Sequence, residues 1–203
     1  AISRIGLAAF GGIVIGMSVR EKMFRMRGFE PRLRALWRHS ATTAVWAMEI
    51  SRLQAQPVEG AFLAGLLHDM GKAVVLQAVG DLSRSKVEDI DPDLCEQLMV
   101  EFHAEVGADL LSTWSLPEEL VEAVRNHHRA EDAGGEYGTL ASVIVLANSF
   151  AHWTLEISPE DRASTMTAPL GAAARFADVG VDPAQLPALL SRVDRVIDLA
   201  GSF

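Results

Sequence analysis

The spacing of apolar residues along this chain is helical almost throughout. Apolar side chains recur every three or four residues, no alternating run predicts a strand, and clusters of β-branched residues are brief. The pattern therefore predicts an all-α fold, and the short connections favour a single compact helical bundle. The predicted helices are 1–18, 31–55, 57–69, 72–79, 92–113, 117–128, 138–154, 168–177 and 183–200.

Several residues at the ends of these segments are typical helix signals. Proline occupies the first helical position of three predicted helices, and Asp91 and Asp182 precede two of them as N-caps. Ser115 followed by Glu118 fits a capping box, and Gly71 is suited to a helix end.

Composition excludes several classes of protein. The 203 residues are 49% hydrophobic and carry a net charge of −9, so the chain has enough apolar material for a core but an acidic surface that disfavours nucleic-acid binding. The single cysteine, Cys95, rules out an intrachain disulfide and favours a reducing, cytoplasmic location. The apolar stretch 7–19 is shorter than the about 20 residues of a membrane span and has no cleavage signal of a signal peptide, so we expect no membrane association.

The candidate chemistry lies in the histidines. Taken alone, each helical histidine is most simply a packed residue with one hydrogen bond. Five of them, however, lie on or at the end of apolar helical segments, and together with one buried aspartate they form a set of ligands suited to a transition metal. These residues are His39, His68, His103, His127, His128 and Asp69. The sixth histidine, His152, is expected to be an ordinary residue at the edge of the core.

Asp69 is the least expected residue of this set. It follows His68 at the end of the uniformly apolar segment 61–67, so its carboxylate is predicted to be buried. A buried carboxylate is costly unless it is paired or bound to a cation. We expect both side chains to reach one cation, or two cations to share the aspartate.

The segment that reads Gly65-Leu66-Leu67-His68-Asp69-Met70-Gly71-Lys72 resembles the core of the HD superfamily of metal-dependent phosphohydrolases. The wider pattern is closer to the HDOD domain, a bacterial relative found mostly in signalling proteins. The further matching pieces are 1–6, 36–40, 101–107, 126–128 and 146–148. The resemblance predicts one HDOD-like domain over 1–203 that lacks its first helices, with 1–155 matching best and 156–203 as C-terminal helices.

The resemblance also implies roles for particular residues. His39, His68, Asp69 and the position of Asn148 correspond to the metal ligands of catalytic HD proteins, and His103, His127 and His128 to additional ligands in the related HD-GYP phosphodiesterases. Lys72 would contact a substrate phosphate. The implied cofactor is one or two divalent transition-metal ions, with Fe, Mn, Ni and Zn as candidates.

Two departures from the family pattern bear on activity. Asn148 stands where catalytic relatives have a carboxylate, and an uncharged amide binds such cations more weakly. The Gly-Tyr-Pro loop of HD-GYP enzymes is missing, so hydrolysis of cyclic di-GMP has little support.

These observations leave several functions open. The first is a regulatory module that retains the metal site and has little or no hydrolase activity. The second is a metal-dependent phosphohydrolase, a phosphodiesterase or phosphomonoesterase acting on a nucleotide-like substrate, in which Asp69 and Lys72 are catalytic. The third is a scaffold whose histidines are core residues. The expected partners are other signalling domains or proteins, a small phosphorylated ligand and a second copy of the chain, with no nucleic acid or membrane.

Overall fold

The computed structural model describes residues 28–82, 91–133, 137–156, 158, 176 and 179–203. These residues form helices and connecting turns without a strand, which confirms the all-α prediction. The predicted helix 1–18, and all of 168–177 apart from Phe176, lie outside the described residues. The helices are α1 Glu30–Leu53, α2 Val58–Leu67, α3 Met70–Leu82, α4 Pro92–Thr113, α5 Glu118–Arg125, α6 Gly138–Glu156, α7 Leu186–Leu190 and α8 Val193–Ala200.

Helix α1 is the central element of the bundle. It packs against α2, α6 and α8, while α3 packs on α4, α4 on α5 and α5 on α6. Fully buried Trp46 lies on α1, and its indole Nε1 donates to the hydroxyl of Thr154 on α6 across 2.8 Å. The ring of Phe150 lies 4.9 Å from that of Trp46, so α1 and α6 share the aromatic part of the core. This packing fixes the relative positions of the two helices that flank the histidine cluster.

Of the three predicted N-caps, two are confirmed and one is wrong. The Asp91 carboxylate accepts from the Asp93 amide at the start of α4, and Asp182 forms a capping box with Gln185. Ser115 makes no cap, because α5 starts after Pro117 and has no side-chain cap. Ser115 instead has a φ of 55°, which places it in the turn between α4 and α5.

The prediction that Gly71 ends a helix is also wrong. Helix α2 ends at Leu67, two residues form a turn, and Gly71 lies in the first turn of α3. A Cβ built on Gly71 would lie 1.9 Å from the His103 carbonyl oxygen and 2.8 Å from the Gly107 amide nitrogen. Glycine is therefore required for the close approach of α3 to α4, not for a helix end.

The C-terminal helices are attached to α1 by a buried carboxylate. Glu49 is fully buried and pairs with Arg52 on its own helix and with Arg192, which directly precedes α8. Arg195 lies 3.9 Å from the same carboxylate. A buried carboxylate needs such partners, so these pairs hold α8 against α1.

The region from Val58 to Leu82 is long and apolar enough to span a membrane by length and composition alone. In the fold it is interrupted by the turn at 68–69, and 67% of its most apolar window is buried inside the protein. This burial is typical of a core segment. The turn at 68–69 contributes two residues to the candidate site.

Candidate metal centre

The histidines and the aspartate of the site come from four parts of the bundle. His39 is on α1, His68 and Asp69 form the turn between α2 and α3, and His103 is on α4. The remaining histidines, His127 and His128, follow the end of α5, and Asn148, which was also predicted as a ligand, is on α6. His68 and Asp69 share one turn and His127 and His128 share one segment, but these parts are far apart in the sequence, so the site depends on the packing of the bundle.

Three of the histidines are held by carbonyl groups of their own segments. The distances from Nδ1 to the carbonyl oxygen are 2.8 Å for His68 and Gly65, and 2.6 Å for His103 and Met99. His127 makes the same contact with the Val124 carbonyl at 2.6 Å. Because a carbonyl oxygen can only accept, Nδ1 must carry the proton in each ring. In its neutral form each ring therefore presents a lone pair at Nε2, the arrangement found in metal-binding histidines.

These lone pairs surround the carboxylate of Asp69. Its Oδ2 lies 3.4 Å from His68 Nε2 and 3.8 Å from His39 Nε2. Its Oδ1 lies 3.5 Å from His103 Nε2 and 3.7 Å from His127 Nε2. Asp69 is 2% exposed, so its carboxylate is shielded from bulk solvent. Each oxygen of one carboxylate thus belongs to a different pair of imidazoles.

The distances fit a shared cation better than direct contact. Unprotonated Nε2 atoms and carboxylate oxygens are all acceptors and repel one another when nothing lies between them. Two ligand atoms bound tetrahedrally at about 2.0–2.1 Å from one cation lie about 3.3 Å apart. The His68 Nε2 and Asn148 Oδ1 atoms are also buried without a hydrogen-bond partner. The residues present therefore fit a metal ion.

The described residues contain two groups with the spacing of metal ligands. One is His39, His68 and Asp69, and the other is His103, His127 and His128. In the second group, His103 Nε2 lies 3.2 Å from His127 Nε2 and 2.8 Å from His128 Nε2. The rings of His68 and His127 are 5.1 Å apart, so the two groups adjoin. With Asp69 between them, the arrangement can accommodate two ions.

Burial favours the neutral form of His39, His103 and His127, while the carboxylate of Asp69 stays charged. Burial lowers the pKa of His39 to about 3, and it also lowers the pKa of His103 and of His127. Burial raises the pKa of Asp69, but His68 and Lys72 outweigh it and hold that pKa well below its usual value. At neutral pH these three imidazoles and the carboxylate therefore have the charge states that metal binding requires.

Lys72 is the positively charged side chain closest to Asp69. Its Nζ donates to Asp69 Oδ2 at 2.7 Å, and the side chain is 28% exposed. One end of the ammonium thus contacts the buried carboxylate while the group still reaches the surface. From this position Lys72 can contact an anion at the mouth of the site.

One residue near the site was not expected from the sequence. His152 was predicted to be an ordinary residue, but its ring lies 4.6 Å from that of His39. It is one helical turn from Asn148 on α6, so both lie on the same side of that helix. That four-residue spacing was the available sequence signal.

Comparison with known proteins identifies a matching family and a relative. The HDOD domain profile matches residues 1–130. An uncharacterised protein of Treponema pallidum is 25% identical over 156 residues, which cover 73% of this chain and 30% of that protein. The chain thus spans about a third of the length of that relative.

Solved structures give the same fold. A candidate phosphohydrolase from Shewanella amazonensis matches 99% of this chain and 74% of its own, with a TM-score of 0.69 and 22% identity. A candidate signal transduction protein from Marinobacter aquaeolei matches 82% of this chain and 38% of its own, with a TM-score of 0.51 and 21% identity. At these identities the likeness shows the fold alone, a helical bundle of the HD type.

Proposed function

The chain belongs to the HDOD domain family, and from this premise we propose that it is a regulatory module of signal transduction. In this proposal its His/Asp cluster binds one or two divalent transition-metal ions and has little or no hydrolase activity. The observation that supports it most directly is the buried Asp69 carboxylate, each oxygen of which faces a different pair of imidazoles.

The ligands divide into two sets in this proposal. His39, His68, Asp69 Oδ2 and Asn148 would hold one ion, and His103, His127, His128 and Asp69 Oδ1 would hold the other. Imidazole-rich sets suit Zn, Fe and Ni, and the carboxylate also admits Mn. Because the ion would bind only the folded chain, it would stabilise the fold as well as any signalling state.

The amide of Asn148 is the reason for expecting little hydrolysis. A carboxylate at this position would add a negative charge, whereas the amide offers a neutral oxygen. The set containing Asn148 therefore holds its ion more weakly, and a vacant or loosely bound position would favour regulation over turnover.

The second candidate function is a metal-dependent phosphohydrolase acting on a nucleotide-like phosphodiester or phosphomonoester. It is favoured by Lys72, which contacts Asp69 and remains partly exposed. When bound, the metal would lower the pKa of a coordinated water so that hydroxide is available at neutral pH. Lys72 would offset charge on the phosphoryl oxygens, and Asp69 would orient the attacking group.

Metal analysis and a hydrolysis assay separate these functions. The untagged protein and its His68→Ala/Asp69→Ala variant are measured by elemental emission, and both are assayed on bis(p-nitrophenyl) phosphate. We expect metal in the wild type, none in the double variant, and no turnover in either. Turnover lost in the double variant would favour the phosphohydrolase, and absence of metal from both would favour a scaffold. Exposed Thr139→Ala on α6 is the matched control and should retain the metal.

Asn148→Asp tests the role of the amide. If the amide is what prevents hydrolysis, the variant gains metal affinity and measurable phosphodiesterase activity. If metal affinity rises without activity, the regulatory function is retained for a reason other than Asn148.

The surroundings of the module are part of the same proposal. We infer a cytoplasmic location, other signalling domains or proteins as partners, and a small phosphorylated ligand near Lys72, with homodimerisation as a further possibility for a module of this kind. The acidic net charge of −9 continues to disfavour nucleic acid.

A further inference from the structure

His39 differs from its neighbours in how its ring is held. His68, His103 and His127 each donate Nδ1–H to a carbonyl of their own segment. Across the part of the chain that the structure describes, the His39 ring makes no such hydrogen bond. Its Nε2 nevertheless faces Asp69 Oδ2 at 3.8 Å, so something else must set its orientation.

The His39 ring is bounded by two other imidazoles. The ring of His68 lies 5.4 Å away on one side, and the ring of His152 lies 4.6 Å away with an interplanar angle of 45°. His68 is fixed by Gly65, and His152 comes from α6, which packs along α1. His152 therefore supplies a contact to His39 from a different helix.

His152 is itself held in place, although it is at the surface. Its side chain is 56% exposed, and its Nδ1 donates to Glu156 Oε1 at 3.2 Å, one turn further along α6. A half-exposed imidazole has many rotamers open to it, and this contact restricts them. The order of contacts from the surface inward is Glu156, His152, His39 and Asp69.

We propose that His152 is a positioning residue of the metal centre. Its ring packs against His39 and keeps Nε2 of His39 directed at Asp69, as a backbone carbonyl does for His68, His103 and His127. Glu156 supports His152 in this role. The inference rests on the proposed function, because it assumes that His39 binds a metal ion. Partners that orient metal ligands are typically worth about 10–100-fold in metal affinity.

Titration of the metal-free full chain with Co(II) tests this role, because the visible d–d bands of Co(II) report the geometry of its ligands. His39→Ala first identifies the binding step and the bands that belong to His39. We expect His152→Ala to weaken that same step about tenfold and to alter the same bands. His152→Phe keeps the ring contact with His39 but loses the hydrogen bond to Glu156, so it should recover a large part, but not all, of both. Thr139→Ala, exposed on the same helix, should leave both unchanged.

The outcomes distinguish this inference from the proposed function. If the wild type takes up no Co(II), both fall. If the wild type binds but His152→Ala has the same affinity and spectrum, only the role of His152 is refuted. If His152→Phe binds Co(II) no better than His152→Ala, packing of the ring does not orient His39, and the positioning role is overturned. If metal-free His152→Ala loses as much unfolding free energy as it loses Co(II) binding free energy, the damage is general to the fold, and the positioning role is also overturned.

Discussion

The contact between Gly71 and α4 allows a sharp test of how the site is assembled. A Cβ at position 71 would lie 1.9 Å from the His103 carbonyl oxygen, 2.7 Å from its carbonyl carbon and 2.8 Å from the Gly107 amide nitrogen. All three are backbone atoms, so no side chain can turn aside. Gly71→Ala must therefore move α3 relative to α4, close to both Asp69 and His103.

The magnitude follows from two opposing effects. Carbon atoms pack best at about 3.5–4.0 Å, so the backbone would have to move by more than about 1 Å. Overpacking of this kind costs about 1–3 kcal/mol or more, whereas alanine gains about 0.5–1 kcal/mol over glycine in a helix. We expect a net loss of about 2 kcal/mol, or a Tm lower by about 4–8 °C for a chain of this length.

Gly60 provides the matched control. It also lies in the first turn of a helix, α2, but a Cβ there would meet no atom within 4 Å. Gly60→Ala should therefore be neutral or raise Tm by about 1–2 °C. Thermal unfolding of metal-free protein gives the stability, and Co(II) titration gives the affinity, which should fall at least about tenfold in Gly71→Ala only. A Gly71→Ala protein as stable as Gly60→Ala, with unchanged affinity, would refute the reasoning.

Three further predictions concern the metal, the buried ion pair and pH. Chelation with EDTA should lower the Tm of metal-loaded wild type by about 5–10 °C, since an ion at 100 times its Kd stabilises the fold by about 2.7 kcal/mol. The Tm of the His68→Ala/Asp69→Ala variant should not change on addition of EDTA. Glu49→Gln should lower the free energy of urea unfolding by about 2 kcal/mol, because Arg52 and Arg192 lose a buried counter-charge. Glu59→Gln, at a partly exposed position, should change it by less than about 0.5 kcal/mol. Equal effects of the two substitutions would contradict this prediction. Metal-free protein should lose stability between pH 7 and pH 5: the pKa of His39 is lowered to about 3 in the folded chain, so below the unfolded value of 6.5 only the unfolded chain takes up the proton. His39 alone accounts for about 2 kcal/mol over this range, and a Tm in EDTA that is constant from pH 7 to pH 5 would exclude it.

Much of the fold was predictable because it depends on local patterns. The helices α1 to α6 follow the apolar period, and Asp91 caps α4 as its position before Pro92 suggests. The predicted helix 183–200 is instead broken into a 3₁₀ turn, α7 and α8. Pro187, in the first turn of α7, is the signal that a continuous helix was unsuitable there.

The site was predictable in its residues but not in its arrangement. The apolar setting of the histidines and of Asp69 indicated burial, and the family resemblance indicated which of them belong together. The division of the Asp69 oxygens between two groups depends on helix packing, which no local spacing encodes. The same is true of Gly71, whose role depends on the backbone of residues 103–107.

The pairing of Glu49 limits where this chain can be cut. Ending it after α6 would keep every proposed ligand, and the family match ends even earlier, at residue 130. Either cut removes Arg192 and Arg195, and among the described residues it leaves Glu49 only Arg52 as a charged partner. A minimal fragment that retains the site should therefore extend through α8, because the helix that carries His39 depends on the tail for its neutralising charges.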